Sequence, residues 1–229
     1  MIKKPNHKKI YIAIFLVVVL CVSIGAIIYT TQTPKSDFKV GVKVGQTFTY
    51  QLSGDSILFD SDAVPPAYLP EYNQTSYYQV TITGVTGSVV SFNTIWQFIN
   101  GTSIDNANYI DLKTGDYNPG GYFWAIFPSN LKVNNRLYPE ENNTLLVVNS
   151  TGSQPFSSGA RPTNYWSIEK AFTNINNPTG STQMLNIIEV YFDKQTGMPD
   201  YIDSAYDYNN PNYNIIITWQ LTNSTVWSV

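Results

Sequence analysis

Acidic side chains are the main residues in this chain whose types and spacing could support catalysis. The single histidine, His7, and the single cysteine, Cys21, both lie near the N-terminus. The rest of the chain therefore cannot form a Ser-His-Asp triad, a Cys-His pair or a zinc site of Cys or His ligands. Glycoside hydrolysis instead needs two carboxylates about 5–10 Å apart, and Glu189 and Asp203 lie on two predicted strands joined by a short turn. Because carboxylates in structural ion pairs are the commoner arrangement, the sequence predicts no enzyme activity.

Two groups of aspartates could supply oxygen ligands to a calcium ion. Calcium takes six to eight oxygens, often including backbone carbonyls. Neither group has the spacing of a DxDxDG loop, and solvated turn acids are the alternative interpretation. The metal therefore stays unassigned and no cofactor is expected. The calcium candidates are Asp55, Asp60 and Asp62 in the first long loop, and Asp200, Asp203 and Asp207 in the C-terminal hairpin.

Tryptophan is a third residue type whose placement could form a site. The chain has five tryptophans, and aromatic rings commonly line ligand pockets. Aromatic residues on one face of a strand more often belong to the core. The candidate ligand contacts are Trp96, Trp124, Trp166 and Trp219.

The charge distribution separates a short basic N-terminus from an acidic remainder. Four of the thirteen Lys and Arg lie within the first nine residues, and all sixteen Asp and Glu come after Ser36. From Thr30 onward nine basic residues stand against sixteen acidic ones, a formal charge of −7. Nucleic-acid binding needs clustered positive charge, so this class of partner is excluded.

An uncharged apolar segment of twenty residues, 10–29, directly follows the lysines. A helix of this length spans about 30 Å, the thickness of the hydrocarbon core of a bilayer. The lysines before it predict a cytoplasmic N-terminus. A signal peptide cleaved before Ala26 is the alternative. Lipidation of Cys21 is disfavoured because bulky apolar residues precede it.

The predicted organisation has four parts. Residues 1–9 form a basic cytoplasmic tail, 10–29 a transmembrane signal-anchor helix, 30–38 a polar stalk and 39–229 an extracellular domain. About 190 residues suit a single domain. The predicted location is the cell membrane, with the C-terminal domain outside the cell.

Sequons for N-glycosylation occur only on the predicted outer side of the membrane. Their distribution agrees with the orientation inferred from charge, and predicts a glycoprotein. The five acceptors are Asn73, Asn100, Asn142, Asn149 and Asn223.

Alternating apolar residues predict a mainly β domain, an antiparallel curved sheet or sandwich with one or two short helices. Residues 77–83 and 90–98 predict a hairpin, because a glycine-containing turn joins them. Residues 184–192, 200–208 and 213–221 predict an antiparallel meander joined by short turns.

Other segments give weaker patterns. Residues 53–73 contain Pro and Gly and predict a loop, whereas 144–149 are predicted to form a strand. Residues 163–175 are the best helix candidate outside the membrane, since Tyr165 and Phe172 would share one helical face.

Two stretches resemble known proteins. The anchor, the opening GVKVGQTFTYQL at residues 41–52 and the sequon-rich β region resemble membrane-anchored, secreted β proteins of archaeal type. That resemblance implies no particular function. The stretch YFDKQTGMPDYI, residues 191–202, is similar to the strand–turn–strand of periplasmic lipoprotein-carrier folds. This similarity implies a curved sheet that wraps a helix and holds an acyl chain.

The favoured function is a non-catalytic binding or envelope role at the cell surface. One alternative is a carrier that holds a lipid or other apolar ligand in a concave sheet. Another is a carboxylate-based glycoside hydrolase. The predicted partners are the membrane, crossed once, and a cell-surface protein, glycan or lipid.

Overall fold

A computed structural model describes residues 38–118, 122–141, 146–173 and 183–229. Within these residues the regular structure is one antiparallel sheet of nine strands and one five-residue helix. The strands are β1 Thr47–Leu58, β2 Thr75–Thr86, β3 Val89–Phe98, β4 Ser103–Asp111, β5 Ser150–Phe156, β6 Gly159–Thr173, β7 Gln183–Asp193, β8 Pro199–Asn209 and β9 Asn212–Ser224. The helix, α1, is Leu69–Asn73.

The strand order is β4-β3-β2-β1-β9-β8-β7-β6-β5. Two antiparallel meanders, β1 to β4 and β5 to β9, therefore meet where the first strand pairs with the last. This pairing runs from Phe48 opposite Ser224 to Leu58 opposite Tyr213. Because β1 and β9 satisfy each other's backbone groups, neither meander has an open edge at the centre of the sheet.

One face of the sheet carries the apolar core. Phe48, Tyr50 and Leu52 of β1 are buried and alternate with more exposed Thr and Gln, as strand geometry requires. The connection between β4 and β5 supplies further buried side chains. Its Phe127 is 0% exposed and lies 4.6 Å, ring centroid to ring centroid, from Phe192 of β7. The core is therefore formed by one sheet face and an irregular segment packed against it.

The predicted hairpin and the predicted C-terminal meander are both confirmed. β2 and β3 pair in antiparallel orientation around Gly87, whose φ of +62° lies in the left-handed region that favours glycine. β7, β8 and β9 pair consecutively. Strong alternation bounded by turn residues predicts these elements well.

Two predictions of local structure are wrong. The helix predicted at 163–175 lies, as far as residue 173, in β6, which pairs with both β5 and β7. Its Tyr, Trp, Ile and Thr residues favour a strand, and two pairing partners outweigh an ordinary helix propensity. In the predicted strand 144–149, the described residues form only an isolated bridge, between Val147 and Arg136.

The predicted loop 53–73 contains two regular elements. β1 continues to Leu58 because β9 pairs with it over that length. α1 begins with Pro70 in its first turn, where a fixed φ and a missing N–H are tolerated. Gly54 makes room for this helix, since a Cβ there would lie 2.7 Å from Leu69 Cδ1.

No helix in the described part of the chain combines the length and apolar character needed to cross a membrane. The predicted tail and anchor, and the stalk as far as residue 37, lie outside the described residues. The four-part organisation therefore stays a prediction.

Candidate functional site

Three tyrosines lie side by side on neighbouring strands. The register pairs Tyr165 of β6 with Tyr191 of β7, and Tyr191 with Tyr201 of β8. The ring centroids are 4.7 Å apart for the first pair and 6.3 Å for the second. All three side chains are half-buried, so each keeps some surface for a ligand. We call these three residues the tyrosine row, which Gln220 of β9 extends opposite Tyr201.

A pair of carboxylates lies next to the tyrosine row. Glu189 and Asp203 are directly opposite each other on β7 and β8, which confirms that their strands are neighbours. Each is two residues from a row tyrosine on its strand, and therefore on the same face. Tyr165 Oη donates a hydrogen bond of 2.6 Å to Glu189 Oε1. Burial and then the charge of Glu189 raise the pKa of Asp203, whose Oδ1 has no hydrogen-bond partner among the described residues.

The turn between β7 and β8 is organised by a fully buried carboxylate, Asp193. Its Oδ1 accepts hydrogen bonds from the backbone N–H of Gln195, at 3.1 Å, and of Thr196, at 2.8 Å. Its Oδ2 accepts a bond of 2.8 Å from Arg161 Nε. The guanidinium carbon of Arg161 also lies 4.2 Å from the ring centroid of Trp227. The charge of Asp193 is thus compensated by one guanidinium and by turn N–H donors.

Asp200 is a second buried carboxyl close to this turn. The β7–β8 register shifts beside Tyr191, which leaves Asp200 without a directly opposite residue. The side chain is 3% exposed, and its Oδ2 accepts a hydrogen bond of 3.2 Å from Thr163 Oγ1. Its Oδ1 has no hydrogen-bond partner in the described part of the chain. Burial, and then the charge of Asp193, raise the pKa of Asp200 from 3.8 to about 8.

A cavity of about 210 Å³ lies beside Asp200. We call it the Asp200 pocket. Residues 154–156 of β5 line it together with Tyr191, Tyr201 and Gln220. A second cavity, of about 140 Å³, is lined by residues 150–154, Thr163, Tyr165 and Tyr191. Tyr191 therefore lines both cavities, and the tyrosine row contributes to each.

A third and larger cavity, of about 570 Å³, lies where β7, β8 and β9 reach the β8–β9 turn. We call it the end groove. The rings of Tyr208 and Tyr213 stack there with centroids 4.4 Å apart. Its lining residues are Phe59, Ala171, Met184, Leu185, Asp207, Tyr208, Asn209, Asn212, Tyr213 and Asn214.

The tryptophans predicted as ligand contacts lie mostly in the core. Trp96, Trp166 and Trp219 are 2%, 1% and 8% exposed. Trp166 packs against the half-buried Trp124 with ring centroids 6.0 Å apart. Trp96 and Trp219 both pack against Tyr78. These contacts support a packing role for the tryptophans, and their role in ligand binding stays a prediction.

The aspartates predicted as calcium candidates lie in different environments. Asp55 and Asp62 are exposed, and Asp60 Oδ2 accepts a hydrogen bond of 2.7 Å from the backbone N–H of Asn212. Asp207 lines the end groove. Among the described residues no group of three or more Asp, Glu, His or Cys side chains is placed to hold a metal ion.

The described sequon residues are all exposed, and Asn142 lies outside the described part. Asn100 Oδ1 accepts hydrogen bonds from the backbone N–H and the hydroxyl of Thr102, at 2.9 and 2.7 Å. Asn73 Nδ2 instead donates a bond of 2.6 Å to the carbonyl oxygen of Gly54. The other exposed acceptors are Asn149 and Asn223.

No family model and no curated protein matches this chain. The interpretation of the site therefore depends on its geometry.

Sequence reasoning missed the tyrosine row and the Asp200 pocket. Tyr191 and Tyr201 lie at equal distances from the centre of the β7–β8 turn, so the hairpin register already implied their pairing. Tyr165 is not expected beside them from sequence, because the apolar spacing of residues 163–175 predicts a helix. The burial of Asp200 depends on a register shift and on β5, neither of which leaves a signal in the sequence.

Proposed function

We propose that this chain is a membrane-anchored, N-glycosylated, non-catalytic binding protein of the cell surface, and that its domain binds carbohydrate at the tyrosine row. The observation that carries this proposal is the alignment of three half-buried tyrosine rings beside a pair of carboxylates. The C–H faces of sugar rings are apolar and pack on aromatic rings. Sugar hydroxyls donate hydrogen bonds to carboxylates and accept hydrogen bonds from amide N–H groups.

The polar groups beside the row suit such a ligand. Asp203 Oδ1 has no partner in the described chain, so a sugar hydroxyl would satisfy it. Glu189 already accepts a hydrogen bond from the hydroxyl of Tyr165, which fixes the orientation of the Tyr165 side chain. Gln220 continues the row: its Nε2 donates hydrogen bonds of 3.5 Å to the carbonyl oxygens of Asp200 and Leu221, and its Oε1 can accept one from a sugar hydroxyl.

The proposed location is supported by three features of the sequence. Four lysines precede an uncharged apolar segment long enough to cross a bilayer, and five sequons follow it. Protease treatment of intact cells tests the orientation. Digestion of the C-terminal domain with protection of the tail supports it, and full protection contradicts it.

Carbohydrate binding is tested by affinity electrophoresis of the full-length chain, in non-ionic detergent, through gels that contain different polysaccharides. The substitution Tyr191→Ala removes the central ring of the row, and we expect about fivefold weaker retention, because one stacking contact contributes on the order of 1 kcal/mol. Tyr109→Ala is the matched control, since Tyr109 is an exposed tyrosine of β4. Equal retention of both variants, or no retention of the wild type, would contradict the proposal.

A glycoside hydrolase is the second candidate, favoured by the direct pairing of Glu189 with Asp203. Directly opposite residues of antiparallel strands have Cβ atoms about 4.5–5.5 Å apart, close to the carboxylate separation of retaining glycosidases. The raised pKa of Asp203 suits a general acid. Release of reducing sugar by the wild type, abolished in both Glu189→Gln and Asp203→Asn, would establish this activity in place of simple binding.

A further inference from the structure

The Asp200 pocket combines a buried carboxyl with aromatic walls. Its volume is about 210 Å³, which suits a small organic group better than a polysaccharide chain. Tyr191 and Tyr201 line it on one side and residues 154–156 on another, with Gln220 completing the wall. Aromatic rings and a carboxylate together form the usual recognition chemistry for an organic cation.

The charges around Asp200 do not balance when every acid is ionised. Asp193 and Asp200 would carry two negative charges, and Arg161 supplies one positive charge. Arg161 is committed to Asp193, with which it makes the ion pair of 2.8 Å. The only hydrogen bond to the carboxyl group of Asp200 from a described side chain comes from the neutral hydroxyl of Thr163. A buried carboxylate in this position needs one further positive charge.

We propose that the Asp200 pocket binds the ammonium group of a small primary amine, with Asp200 as its counter-ion and the rings of Tyr191 and Tyr201 against its methylene groups. This site does not depend on carbohydrate binding by the tyrosine row. It can be occupied in a protein that binds no polysaccharide.

In the absence of a ligand, the carboxyl group of Asp200 holds a proton, which removes the negative charge that no cation compensates in the described chain. Among the described residues, the ionisable groups near Asp200 are Asp193 on β7, Arg161 on β6 and Tyr50 on β1, together with the phenols of Tyr191 and Tyr201. Burial and Asp193 raise the pKa of Asp200 to about 8, so the carboxyl is mainly protonated at pH 7. Binding of the ammonium ion therefore converts the acid to a carboxylate and releases one proton to the solvent.

The test is calorimetric titration of the full-length chain, in non-ionic detergent, with n-butylammonium chloride between pH 6 and pH 9. We expect the affinity to rise about tenfold between pH 6 and pH 7 and to level off above pH 8, because the competent carboxylate form becomes populated. Titrations repeated in buffers of different ionisation enthalpy should show that nearly one proton is released per amine bound at pH 6. n-Butanol, which has the same chain without the charge, should not bind.

Asp200→Asn should abolish binding of n-butylammonium, and Asp105→Asn should leave it unchanged, since Asp105 is an exposed acid of β4. A second measurement does not need a variant. The carboxyl carbon resonance of Asp200 should titrate at a lower pH when the amine is saturating. Equal binding of n-butanol, a pH-independent affinity, no binding at all, or an unchanged titration of Asp200 would each overturn the proposal.

Discussion

Removal of the ionisable group of Asp200 should change how the stability of the domain depends on pH. The side chain is 3% exposed and its Oδ1 has no partner in the described chain, so its charged form is disfavoured in the folded state. Asn has nearly the same shape and can still accept a hydrogen bond from Thr163. The substitution Asp200→Asn therefore removes the titration and keeps the packing.

The sign and size of the effect follow from the pKa in each state. The pKa is about 8 in the folded protein and 3.8 for the ordinary side chain, so the folded state holds a proton that the unfolded state has released. Stability from this group is fully present below pH 3.8 and is lost as pH rises through 8. The slope is about 1.4 kcal/mol per pH unit and becomes smaller near pH 8, so the wild type should lose roughly 3.5 kcal/mol between pH 5 and pH 8 that Asp200→Asn does not lose.

Urea denaturation of the full-length chain in non-ionic detergent, monitored by tryptophan fluorescence at pH 5, 6, 7 and 8, measures this difference. Asp105→Asn serves as the control for substitution of an exposed acid, and we expect it to keep the slope of the wild type. Parallel stability profiles of the wild type and Asp200→Asn would contradict a raised pKa for Asp200 in the folded protein. They would mean that the carboxyl of Asp200 is ionised in the folded protein without cost.

Three further predictions concern the turn, the sequons and the end groove. Gly197→Ala should cost about 2–4 kcal/mol in the free energy of unfolding, because φ is +78° and a Cβ would overlap the carbonyl oxygen of Phe127. Gly87→Ala, at φ +62° with nothing nearby, should cost only about 1–2 kcal/mol, and equal costs by urea denaturation would contradict the overlap. Peptide mass spectrometry should find Asn100 glycosylated and Asn73 less so, since the amide of Asn73 is bonded to the main chain; an unmodified intact mass would contradict both. Native mass spectrometry should show no lipid-sized mass bound to the chain, whereas a co-purifying lipid would favour the carrier alternative and direct attention to the end groove.

The C-terminal meander shows how far local patterns predict the fold. Alternation of apolar residues and the turn residues between them predict β7, β8 and β9 and their antiparallel pairing. The pairing of Glu189 with Asp203 follows from the same turn. These contacts link residues that are close in sequence. The strand pattern and the turn residues between the strands are therefore enough to predict the pairing.

β6 shows where such patterns fail. Spacing of apolar residues every three or four positions is compatible with a helix, and nothing within the segment reveals that β5 and β7 pair on both sides of it. β5 itself, with the sequence STGSQPF, has no strand pattern and exists because its backbone pairs with β6. Long-range pairing thus outweighs the helix-like spacing of apolar residues in β6 and the missing strand pattern in β5.

Composition and local patterns are enough to give the uneven charge distribution of the chain, the apolar segment with its lysines, the absence of His and Cys from the predicted ectodomain, and the mainly β character of that domain. The pairing of β1 with β9 and the alignment of three tyrosines in a row become visible only in the folded chain. The fold also buries Asp200 near Asp193, and within the described part of the chain the nearby guanidinium, that of Arg161, forms its ion pair with Asp193. This division arises because composition and periodicity describe a residue and its near neighbours in sequence. Burial and charge compensation depend on which distant strands come together.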